Sequence, residues 1–86
     1  MPEFDLKLFR TDEREEPIAI IPMMSDIEGN AAASAAHILE TRFTNARKDR
    51  YRPTVAILYR LDAGRRIAVR RFGKFADGVK PLPLAQ

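Results

Sequence analysis

Three arginines, Arg60, Arg66 and Arg70, have the type and spacing to hold an anion. A guanidinium carries a fixed charge and a planar fork of N–H donors, which meets a phosphate or carboxylate through paired hydrogen bonds. The three arginines lie in two runs, 54–61 and 65–72, separated by Asp62, Ala63 and Gly64. The runs read as a hairpin closed by a three-residue loop, with Gly64 in the left-handed conformation of a bulge. In that register Leu61 pairs with Arg65, Tyr59 with Ile67 and Ile57 with Val69. One face, Val55, Ile57, Tyr59, Leu61, Ile67 and Val69, is expected against a helix. The other carries Ala56, Leu58, Arg60, Arg66, Ala68, Arg70 and Phe72, with Arg60 directly across from Arg66. Like charges opposite one another repel, so this face is expected to meet something acidic: a phosphate backbone, an acidic protein surface, or the chain's own charged loop. Leu58 and Phe72 are expected to add apolar or stacking contact beside the charges.

Other residue groups point to less. His37 is the single histidine and the chain has no cysteine, whereas a zinc site takes several such ligands. Asp12, Glu13, Glu15 and Glu16 crowd together but lack the alternating oxygen ligands and the glycine of a calcium loop. The four glycines are scattered and form no phosphate loop, and no serine, histidine and carboxylate arrangement stands out. The reading is a non-enzymatic protein with no cofactor and no metal. Arg42 falls inside an apolar helical stripe and is expected to snorkel outward or to pair with Asp5.

The elements that must position the arginine face follow from periodicity. Phe4, Leu6 and Leu8 alternate with Asp5 and Lys7, which predicts a half-buried first strand. Residues 11–16 form a solvated loop that Pro17 closes. Residues 18–21 are β-branched or small and predict a second strand, short or at an edge because Pro17 and Pro22 bracket it. Ser25 and Glu28 have capping-box spacing, with Asn30 as the alternative cap. A helix to about Arg47 follows, with Ile27, Ala31, Ala35, Ile38, Leu39, Phe43 and Ala46 on its apolar stripe. Residues 48–53 read as a polar connection, and Lys80, Pro81, Leu82, Pro83 and Leu84 as an extended tail. The expected fold is α+β: one helix packed on a mainly antiparallel four-stranded sheet in the order β-β-α-β-β, comprising a single domain over 1–80 and a tail over 81–86.

A chain of 86 residues with 45% apolar and 31% charged side chains is one ordinary globular domain. Its net charge of +3 conceals a division: residues 1–40 sum to −6 and residues 41–86 to +9. Such a split predicts either a basic surface for an acidic partner or an acidic half that folds against a basic one. The absence of cysteine suits a reducing compartment, and the longest apolar run, 18–24, is too short for a bilayer. The expectation is a cytoplasmic protein with no membrane partner. A homodimer through an unpaired strand edge is a further expected form.

The capped, alanine-rich helix starting at Ser25, Asp26, Ile27 and Glu28, followed by the arginine-bearing hairpin over 54–72, resembles the small accessory proteins of phages and mobile elements. Among these it is similar in style to anti-CRISPR inhibitors. The resemblance implies stoichiometric binding to a bacterial defence protein or nucleoprotein complex and steric occlusion of it. A nucleic-acid-binding module, using the arginine face on DNA or RNA, is the alternative that the residues themselves suggest.

Overall fold

The computed structural model describes residues 2–84. Among them, five strands and one α-helix follow in the order β1 (Glu3–Phe9), β2 (Ala19–Met24), α1 (Glu28–Asn45), β3 (Val55–Asp62), β4 (Arg65–Phe75) and β5 (Gly78–Leu82), with a single 3-10 turn (Asp49–Tyr51) between α1 and β3. They form a single antiparallel sheet ordered β2-β1-β3-β4-β5, with α1 across one face. The fold is α+β as expected, but the sheet has five strands instead of four. The fifth strand uses residues assigned to a tail. Pro81 lacks an N–H, yet an edge strand needs donors on only one side, so β5 tolerates it. Residues 85 and 86 of the expected tail lie outside the described residues.

Both β2 and β3 pair antiparallel with β1, so they run in the same direction on either side of it. A connection between such strands must cross the sheet, and α1 makes that crossing. Its start differs from the expected capping box. Ile27 is the N-cap residue and has no side-chain cap bond. Ser25 Oγ instead accepts from Ile27 N at 3.3 Å and donates to Ile27 O at 2.9 Å. The serine is spent on a local turn that competes with capping. At the other end Arg52 Nη2 donates to the Ala46 carbonyl at 3.1 Å, which satisfies one of the orphan acceptors of a helix terminus.

The helix covers the face opposite to the one expected. Phe4, Leu6, Leu8, Ala56, Leu58 and Phe72 pack with Ala31, Ala35 and Leu39 in the main core. Val55 and Ile57 lie on the other face, in a small cluster with Phe9. Strand β3 is apolar on both sides, since residues Val55, Ala56, Ile57 and Leu58 are all buried, so alternation within it does not say which side meets the helix. Strand β1 decides: its apolar side is Phe4, Leu6 and Leu8, and pairing sets Leu6 beside Leu58 and Leu8 beside Ala56. The two alanines of α1 then permit close approach over Ala56.

The hairpin register also differs. Asp62 pairs with Arg65, so the loop is the two residues Ala63 and Gly64. Both have positive φ, 50° and 80°, as a type I′ turn requires. The irregularity lies farther along: Leu58 pairs with Arg70 but Tyr59 with Ala68, which leaves Val69 as the extra residue of a bulge. Arg60 therefore pairs with Ile67, and Arg66 with Leu61.

Candidate interaction surfaces

The two-residue turn and the bulge set Arg66 on the opposite face of the sheet from Arg60 and Arg70. Arg66 reaches the open face of the sheet, where its Nε donates to Asp5 Oδ2 at 2.9 Å. Arg70 turns to the helix side, and its Nη2 lies 2.8 Å from Glu28 Oε2 in the first turn of α1. Arg60 is exposed and has no ion-pair partner among the described residues. Leu58 is fully buried and Phe72 is 7% exposed, so both belong to the core and offer no surface to a partner. The expected arrangement of two facing arginines does not form.

Much of the division of charge is resolved inside the fold. Asp5 with Arg66, Glu13 with Arg71, Glu28 with Arg70 and Glu40 with Lys74 each join an acid of the first half to a base of the second. Asp5, expected to meet Arg42, is 8% exposed and held by Arg66. Arg42 is exposed beside Ile21, His37, Ile38 and Thr41 at a shallow groove of about 200 Å³. Lys74 lies under the Phe43 ring, 5.1 Å from its centroid, and 3.3 Å from Glu40 Oε2, an ion-pair distance without hydrogen-bond alignment.

Two surfaces remain after this pairing. The first is the open sheet face. Register sets out its rows: Met24, Glu3, Leu61 and Arg66; then Pro22, Asp5, Tyr59 and Ala68; then Ile20, Lys7, Ile57 and Arg71. The acidic loop arches back to Arg71 through Glu13, above the cluster of Phe9, Val55 and Ile57. Beyond the loop, the β2 column of Ile20, Pro22 and Met24 is exposed, with Ile20 at 46% and Met24 at 63%. Next to it Lys7 Nζ stands 5.1 Å from the Tyr59 ring centroid. The Tyr59 hydroxyl has its pKa raised above 10.0, first by burial and then by the negative charge of Glu13, with Arg66 opposing.

The second surface is the connection after α1. Arg47, Lys48, Arg50 and Tyr51 are exposed there, and Asp49 is paired with Arg52. Four cations and an aromatic ring within 47–52 are a signal present in the sequence, but the reading of this stretch as a polar connection gives it no role. The exposure of the β2 column, by contrast, depends on its place at the sheet edge.

Comparison with family models, curated proteins and solved structures returns no match. Among the described residues no helix is long and apolar enough to cross a membrane.

Proposed function

We propose that this protein works by binding a protein or nucleoprotein partner, with the open sheet face as the docking surface. The observation that supports this is the exposed apolar column of Ile20, Pro22 and Met24 beside the Asp5–Arg66 pair and Lys7. An apolar strip rimmed by polar groups is the usual anatomy of a protein interface. In its narrower form, suggested by the resemblance to anti-CRISPR inhibitors, the protein is a stoichiometric inhibitor that occludes its partner sterically.

A photo-crosslinking residue placed at position 24 tests the reading, because Met24 is exposed and its replacement leaves the core intact. One protein should be captured in a defined complex, and Ile20→Glu with Met24→Glu should abolish that complex while the far-UV spectrum stays unchanged. No specific capture, or a complex indifferent to the double change, would remove the open face as the docking site.

A further inference from the structure

The connection between α1 and β3 lies apart from the open-face column. We infer that this end of the molecule binds single-stranded nucleic acid, through its phosphates and one stacked base. Tyr51 is 54% exposed, and the Arg50 guanidinium carbon lies 4.9 Å from its ring centroid. Arg47, Lys48 and Arg50 are exposed and have no ion-pair partner among the described residues. The residue that follows β1 brings a further cation to the same place: Arg10 Nε donates to the Asp49 carbonyl at 3.4 Å. Arg10, Thr11, Asp49, Arg52 and Thr54 line a polar hollow of about 180 Å³.

Each part has a chemical role. The Arg10 guanidinium, which has no carboxylate partner among the described residues, and the Thr11 hydroxyl supply donors to a phosphate at the hollow. The Asp49 carboxylate is engaged by Arg52, and the Thr54 hydroxyl donates to the Arg10 carbonyl, so the hollow is held in shape from both sides. Arg47 and Lys48 extend the positive field toward neighbouring phosphates. An exposed tyrosine beside a guanidinium is a platform for a base plane, and that platform is useful only to a base not already stacked in a duplex. An acidic peptide would use the charges and leave the ring idle. Because phosphates and base planes are what this surface reads, RNA and DNA of the same sequence should bind alike.

Fluorescence anisotropy with labelled 20-nucleotide oligo(U) and oligo(dT), and with a duplex of equal length, tests the inference at physiological salt. Single strands should bind more tightly than the duplex, with affinity falling steeply as salt rises. Tyr51→Ala should weaken single-strand binding about 5- to 100-fold, and the triple change Arg47→Ala, Lys48→Ala and Arg50→Ala should flatten the salt dependence. The control pair Arg60→Ala and Arg65→Ala, at the far hairpin, should change neither. No binding at physiological salt would overturn the inference. So would equal affinity for duplex with Tyr51→Ala silent, or displacement by polyglutamate at equal charge, which would mark an acidic protein as the occupant. Crosslinking at position 24 reads the other surface, so either reading can fail alone.

Discussion

Leu58 and Phe72 show how one residue can serve either contact or packing. As core residues beneath α1, they should act on stability alone. Leu58→Ala is expected to cost about 2–5 kcal/mol by urea denaturation, with no change in partner affinity once the variant is folded. Tyr59 gives a second readout at this scale. The chain has two tyrosines, so a Tyr51→Phe protein isolates Tyr59, whose tyrosinate absorbance should rise with a midpoint above 10.0. Glu13→Gln should move that midpoint down, because it removes a negative charge that opposes ionisation. The linkage follows in sign: the folded pKa lies above the unfolded one, so the contribution to stability is whole below pH 10.0 and is lost as pH rises through the folded value.

At the level of elements, the β3–β4 hairpin is determined by its turn. Ala63 sits at φ 50° and Gly64 at φ 80°, and a side chain in that region costs roughly 1–2 kcal/mol unless it is asparagine or glycine. Ala63→Asn should therefore raise stability by about 0.5–1 kcal/mol, and Gly64→Ala should lower it, both by thermal unfolding. Gly73 serves a different need: a Cβ there would meet Leu82 Cδ1 at 2.9 Å and the Phe75 ring at 3.0 Å, the close approach by which β5 seats against β4. The Gly64 turn was legible in the sequence as a left-handed glycine. The bulge at Val69 was not, because no glycine marks it.

Across the whole molecule, charge and edges set what the surface can do. The pairs joining the two halves are partly exposed, Arg70 and Glu28 at 47% and 33% for example, so each adds about 0–1 kcal/mol. Their larger effect is to leave the cations without an ion pair among the described residues spread over the hairpin (Arg60, Arg65), the connection after α1 (Arg47, Lys48, Arg50) and Lys7, Arg10 and Arg42, instead of on one arginine face. The free edges of the sheet each carry a proline, Pro22 on β2 and Pro81 on β5. A proline offers no N–H to a new strand and blunts edge-to-edge pairing. The expected homodimer through a strand edge is therefore disfavoured, and sedimentation equilibrium of the purified protein should give one chain per particle at micromolar concentration.

The sequence by itself determined the α+β class, the positions of β1, α1 and the β3–β4 hairpin, and the opposition of an acidic half to a basic one, because these follow from local periodicity and composition. Only the tertiary structure decided which face of β3 the helix covers, that residues 78–82 join the sheet, and that Arg66 parts from Arg60 and Arg70. Those outcomes depend on inter-strand register: a strand apolar on both sides is ambiguous until its neighbour is known, and one extra residue in a ladder moves every side chain beyond it to the other face.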